Sequence, residues 1–279
     1  SLLIDDRGAV WVGHFQAGLD YSLYQNGLFR TYAYPPLFNS ANLSIRSFVN
    51  RGQEKVIGSR DGLFYINEAT GVVKSFVKPV LTSDLILTIS FYQGEYYIGT
   101  YGGGMMVLNP GTLSLKYFAQ GDTELFQKGH IFCVKPDAKG NLWIGTSQGL
   151  FCYNEQTKQI KHFTSANSQL PEGNVYEVSF DSTGKGWIAT ETGMCIYDPA
   201  SQSLRSNVFP EGFVHRDKVR TIYEDAGHNL YFIREKGSLF TSTLTMDRFQ
   251  NRSIFSTLPD NSLMSVIEDN QGWLWVACN

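Results

Sequence analysis

The chain has 279 residues, enough to bury a sizeable core in one large domain or two small ones. Apolar residues make up 42% and aromatics 14%, the formal net charge is −3, and lysine and arginine are dispersed along the chain. That balance gives no attraction to nucleic acid or to an anionic membrane, and no run of about 18 apolar residues is present to span one.

The first residues, SLLIDDRG from Ser1, hold neither a Met nor a signal peptide, so the chain reads as an interior piece of a longer protein. The first element is AVWVGHFQAGL at 9–19, and related stretches follow as NLWIGTSQGL at 141–150, KGWIATETGM at 185–194 and GWLWVAC at 272–278. Aligned on itself, the chain shows a tryptophan-like position at Trp11, Val56, Tyr97, Trp143, Trp187, Tyr231 and Trp275, with successive spacings of 45, 41, 46, 44, 44 and 44. A period near 44 suits either four strands per repeat or a helical repeat of the HEAT type.

The pieces inside each period decide between these. The fourth repeat divides into IFCVKP, NLWIGT, GLFCYN and QIKHF, the fifth into VYEVSFD, GWIAT, GMCIYD and SLRSN, and the sixth into VRTIYED, NLYFI, GSLFTS and a weaker end. Each piece is short, aromatic or β-branched, and bounded by turn residues, and no window of 12 residues sustains a helical period. The expected fold is an all-β propeller of four-stranded antiparallel blades, about seven in number with the last incomplete. The repeats run approximately over 1–32, 45–77, 85–118, 130–163, 174–206, 218–250 and 262–279 of a single propeller. A six-blade ring with a half-blade overhang is the alternative count.

Six residues before the tryptophan position stand Asp5, Asn50, Phe91, Asp137, Asp181, Asp225 and Asp269. Three before it, Gly8, Gly94, Gly140, Gly184 and Gly272 recur, while Gln53 and His228 take that place in the second and sixth repeats. An aspartate that opens a type I turn accepts hydrogen bonds from the amides that follow, and a glycine closes it with positive φ. The tryptophan itself fills the gap between neighbouring sheets, a burial worth about 2 to 3 kcal/mol. The small residue two places on (Gly13, Gly58, Gly99, Gly145, Ala189 and Ala277) lets backbones crowd together.

The resulting pattern, D-x-x-G-x-x-W-[IV]-G-T-x-x-G-L, resembles the two-component regulator propeller repeat, best in PDAKGNLWIGTSQGL at 136–150 and next in SLMSVIEDNQGWLWVACN at 262–279. That resemblance implies a fragment of the extracytoplasmic sensor region of a Bacteroidetes-type hybrid two-component histidine kinase. It implies a periplasmic location, an oligosaccharide signal and a homodimer in the full-length sensor. The kinase, membrane helix and immunoglobulin-like module of such proteins are absent from this sequence.

Propeller geometry assigns the D-x-x-G turns to one face and the loops after the second strand, together with the links between blades, to the other. Long irregular segments lie on that second face, at 32–44, 119–130, 164–174 and 207–218. The candidate ligand-binding residues on this rim are His14, Gln16, Arg60, Asp61, Tyr101, Gln148, Glu191, His215, Arg216, Arg234 and Lys236. Aromatics, amides and acids of this kind stack on sugar rings and bond hydroxyls, and the arginines suit a carboxylate or sulfate. A protein-interaction module would instead use Leu37, Phe38, Phe126 and Phe213 as anchors.

Cys133, Cys152, Cys195 and Cys278 match no metal or redox spacing and read as small buried hydrophobes. There is no HExxH motif, G-x-S-x-G elbow or phosphate loop, and YGGGMM at 101–106 begins a strand rather than a helix. A propeller lyase with a histidine base at His14, His130 or His215 is the remaining enzyme reading. His162, in IKHF, falls on an outer strand facing solvent. The expectation is a non-catalytic module without cofactor or metal.

Overall fold

The computed structural model describes residues 1–14, 18–22, 29–32, 44–118, 123–206, 218–234, 239–245, 250–251 and 263–278. Six four-stranded antiparallel sheets follow one another in chain order, each a meander of neighbouring strands. Blade one is built from Leu2–Ile4, Val10–Gly13, Leu19–Ser22 and Phe29–Thr31, and blade two from Ile45–Arg51, Glu54–Ser59, Leu63–Asn67 and Val72–Phe76. Blade three comprises Ile86–Tyr92, Glu95–Thr100, Met105–Asn109 and Ser114–Tyr117, and blade four Ile131–Pro136, Asn141–Thr146, Gly149–Asn154 and Gln159–Phe163. Blade five comprises Val175–Phe180, Gly186–Thr190, Gly193–Asp198 and Ser203–Arg205, and blade six Val219–Glu224, Asn229–Arg234, Leu239–Thr243 and Gln250–Asn251.

The expectation of about seven blades needs correction. Among the described residues there are six four-stranded blades and a final two-stranded sheet of Leu263–Glu268 and Leu274–Cys278. The stretch from 262 to 279 holds one D-x-x-G turn, and one such turn joins only two strands. A second correction concerns 119–130, read as loop, where a helix spans Thr123–Lys128. Six residues are fewer than two turns, too short to imprint a 3.6-residue period on the sequence.

The chain divides into two compact units, Ser1–Val134 and Lys135–Asn279. In the first, Trp11 is buried against Ile45, Phe48, Ile57 and Phe64 of blade two. Val56 and Tyr65 of blade two likewise meet Ile86, Ile89 and Ile98 of blade three. In the second unit Trp143 lies 4.5 Å from the Tyr197 ring of blade five, and Trp187 packs with Val219, Ile222 and Phe232 of blade six. In each case the residue at the tryptophan position packs toward the following blade.

The small residue of the W-I-G-T strand serves the same contact. A Cβ on Gly58 would lie 2.5 Å from Cγ2 of Ile86, and one on Gly99 would lie 2.7 Å from Cγ2 of Ile131. Glycine is required there because a β-branched residue opens the next blade against it. A bulge near the start of the first strand recurs at Ile45/Ser47, Val175/Glu177, Val219/Thr221 and Leu263/Ser265, which bends each strand as it begins.

The threonine of W-I-G-T has its own task. Thr146 Oγ1 donates to Gly149 O at 2.8 Å and accepts from Gln148 N at 3.0 Å, closing the turn to the third strand. Ser59, Thr100 and Thr190 bond the matching carbonyl in their blades, and all four are fully buried. Thr146→Val keeps the shape and removes both bonds. It is expected to cost about 2 kcal/mol in urea unfolding, and Thr146→Ser less than half of that.

Candidate functional site

The predicted D-x-x-G turns are present, with positive φ at Gly8, Gly94, Gly140, Gly184 and Gly272 and at the departing residue His228. The aspartate does more than open the turn. Asp5 Oδ1 accepts from the amides of Arg7 and Ala9, while its Oδ2 accepts from the Trp11 indole at 2.9 Å. The Asp137–Trp143, Asp181–Trp187 and Asp269–Trp275 pairs repeat that bond, and Asp225 takes the Tyr231 hydroxyl at 3.0 Å instead. In blade two, where Val56 replaces the indole, the Asn50 side chain turns away and donates to Asp5 Oδ2 at 3.0 Å. These carboxylates are therefore structural.

The rim residues sit where the second strand ends. Two of them, His14 and Arg234, occupy the place that Ser59, Thr100, Thr146 and Thr190 hold in other blades. His14 Nε2 lies 3.0 Å from Asp20 Oδ2, and the His14 carbonyl accepts from Ile45 N of blade two at 3.0 Å. Arg234 lays its guanidinium over the Phe240 ring at 4.8 Å, and burial lowers its pKa from the ordinary value. Arg60 and Asp61 are exposed, held by the bonds from Arg60 N to Ser44 O and from Asp61 N to Ser59 Oγ. Gln148 is exposed and its carbonyl bonds His162 Nε2 at 2.8 Å, while Glu191 Oε2 accepts from Asn174 N at 3.3 Å. His14, Arg60, Asp61, Tyr101, Gln148 and Glu191 share no hydrogen bond or ion pair with one another. Gln16, His215, Arg216 and Lys236 lie outside the described residues, as do Leu37, Phe38 and Phe213.

Tyr101 is the best-built of these positions. Its ring is 50% exposed and stacks on the His130 imidazole at 4.0 Å and 26°. The turn that carries it is held from the link before blade three, by Ser83 Oγ on Tyr101 O at 2.9 Å and Thr82 Oγ1 on Gly103 O at 2.6 Å. Gly104 N bonds Gly129 O at 2.9 Å, bringing the turn against the helix Thr123–Lys128. The Y-G-G-G run is therefore a packing device that presents one aromatic face outward. His130 Nδ1 is buried with no hydrogen-bond partner among the described residues. Sequence reasoning placed His130 on the rim without joining it to Tyr101, and it overlooked Asp20, Thr82 and Ser83. The only signal was the coincidence of Tyr-Gly-Gly-Gly with a histidine just before the next blade.

Phe126, proposed as an exposed anchor, is fully buried and meets the Phe118 ring at 5.1 Å. The helix turns it inward, so it offers no surface to a partner. His162 is exposed as expected, yet its ring lies flat on Phe151 at 3.9 Å and 8°. Cys133 and Cys195 are buried, and Cys152 is half-buried with its pKa pushed up to about 12, first by burial. Among the described residues no group of three His, Cys, Asp or Glu is arranged to hold a metal ion, and no helix is long and apolar enough to cross a membrane.

Comparison with solved structures defines the class first: the fold is a β-propeller. The WD40 beta propeller domain of Doa1 is 12% identical, with a TM-score of 0.72, over 99% of this chain and 87% of its own. The extracellular domain of a putative hybrid two component system from B. thetaiotaomicron is 22% identical with a TM-score of 0.64, over 99% of this chain and 43% of its own. A second such domain from that organism is 16% identical with a TM-score of 0.55, over 100% of this chain and 49% of its own. The chain thus spans less than half the length of these two relatives. Residues 126–148 and 257–279 match the two component regulator propeller family model. No curated protein matches the chain.

Proposed function

We propose that this chain is a non-catalytic part of the extracytoplasmic sensor of a hybrid two-component histidine kinase, and that its rim binds an oligosaccharide signal. The observation that carries the sensor assignment is the presence of two regulator propeller repeats, at 126–148 and 257–279. The likeness to extracellular domains of two putative hybrid two component systems supports the same reading. For the saccharide, the support is Tyr101, an exposed ring backed by His130 on a turn held by Thr82 and Ser83. Sugar rings place their C–H faces on such aromatics while hydroxyls bond nearby polar groups.

In the full-length protein this module works in the periplasm as a homodimer. Ligand binding signals only through different affinities for two arrangements of the sensor. The test is a calorimetric screen of oligosaccharides against this chain and its Tyr101→Ala variant. A saturable ligand that weakens at least tenfold in the variant supports the rim, about 1.4 kcal/mol or more. A ligand unaffected by the change removes the rim from the proposal, and failure of every saccharide overturns the carbohydrate assignment.

A further inference from the structure

A cavity of about 260 Å³ opens in the second unit on the side of the D-x-x-G turns, at the end of strand Asn141–Thr146 remote from Gln148. Its origin is legible in the register. Cys152 stands directly across from Trp143, as Tyr21 stands across from Trp11 in blade one. In blade one the Tyr21 ring fills that place and stacks on the indole at 4.8 Å. In blade four the short thiol leaves it open, and Phe163 and Tyr197 form the aromatic wall around Trp143, at 6.0 and 4.5 Å from its ring.

Apart from Pro199 the rest of the lining is polar, and its charged groups are of one sign. Lys139 and Lys161 reach it, and no aspartate or glutamate does. The Lys139 ammonium has no acidic partner among the described residues, and Lys161 spends one bond on Gln202 Oε1 at 2.9 Å. Gln159 and the Gln202 amide nitrogen add uncommitted carboxamide groups. The Cys152 thiol, with its pKa pushed up to about 12 chiefly by burial, stays protonated and contributes shape rather than reactivity.

We propose that this cavity binds a single acidic sugar ring, with its carboxylate on Lys139 and Lys161 and its hydroxyls on the carboxamides of Gln159 and Gln202. The size decides against anything longer, since the volume lies just below the roughly 300–1,000 Å³ of drug-sized ligand pockets. The Asp137 carboxylate stands behind the lining, 2.7 Å from Asn141 Nδ2, and offsets part of the positive charge. The charged groups of the lining itself are both ammonium groups and favour an anion, and charge-assisted bonds to a carboxylate are about twice as strong as neutral ones. The aromatic wall takes the ring's C–H edge. The site is independent of the rim around Tyr101, which lies in the other unit.

The test is calorimetric titration with glucuronate and with glucose, each variant first checked for an unchanged circular-dichroism spectrum and melting temperature. Glucuronate is expected to bind at least tenfold more tightly than glucose. Lys139→Gln combined with Lys161→Gln should abolish that preference, whereas Lys185→Gln, an exposed lysine of the same side outside the cavity, should keep it. Cys152→Tyr, which copies blade one, should eliminate binding of both sugars. If Cys152→Tyr does not fold, loss of the preference in the double lysine variant carries the test. Equal binding of the two sugars, no saturation with glucuronate, or full retention of binding in the double lysine variant overturns the proposal.

Discussion

Asp181→Ala is expected to destabilise the protein by about 4 kcal/mol. Asp181 is buried, and its carboxylate is a hub within one blade. Oδ1 takes the amides of Thr183 and Lys185 at 2.9 and 3.0 Å and the Thr183 hydroxyl at 2.6 Å, and Oδ2 takes the Trp187 indole at 2.8 Å. Alanine leaves the indole N–H buried without an acceptor, at a cost of about 1–3 kcal/mol, and frees the turn amides as well. Asp181→Asn keeps one acceptor oxygen and should lose about half as much. Urea unfolding followed by indole fluorescence measures both, and a loss below about 1 kcal/mol for alanine would refute the role assigned to the carboxylate.

The same bond has a pH signature at Asp5 and Asp269. Burial by itself raises each carboxyl, but the indole N–H and two turn amides outweigh it and hold both below the ordinary value of 3.8. A depressed folded-state pKa means that the stabilisation is complete above the unfolded value and is lost as pH falls through the folded one. Stability should therefore fall on acidification below 3.8, and this part of the fall should shrink in Asp5→Asn.

Gly104→Ala is the second change with a large expected effect, again about 4 kcal/mol. Gly104 has φ of +71°, and a Cβ there would stand 1.9 Å from the backbone oxygen of Phe126 and 2.7 Å from Gln127 N. A side chain can rotate away from such a clash, but a backbone carbonyl cannot. The helix Thr123–Lys128 must shift, exposing Leu125 and Phe126, which are now buried. Gly102→Ala provides the contrast. Its φ of +79° is equally left-handed, but the nearest atom to its Cβ is His130 Cε1 at 3.7 Å, so about 1 kcal/mol is expected. Thermal or urea unfolding of the two variants separates backbone strain from collision. Similar losses in both would show that Gly104 is needed only for its φ.

Much of this architecture is carried by local, repeated signals. The tryptophan position, the Asp and Gly of the turn and the small residue after the indole recur every 41 to 46 residues, because each blade solves the same packing problem. Strand identity and turn geometry could be read from that repetition, whereas the direction in which each indole packs could not. The bond from Asp to Trp was present in the spacing of six residues but invisible as a contact, because it depends on the turn folding the carboxylate back toward the indole. The hydroxyl of W-I-G-T was equally visible as a letter and silent as a turn cap.

What appears once in the chain could not be read in that way. Phe126 and Tyr101 are both aromatic residues in irregular segments, and only the helix and the Gly-Gly-Gly turn make one buried and the other half exposed. Cys152 matched the composition of a core strand, yet its effect depends on the ring missing across from Trp143 and on Tyr197, 45 residues away. Periodicity is a local property and survives in one dimension. The exposure of a particular ring and the space beside a particular thiol are sums over non-local neighbours, so only the tertiary structure decides them.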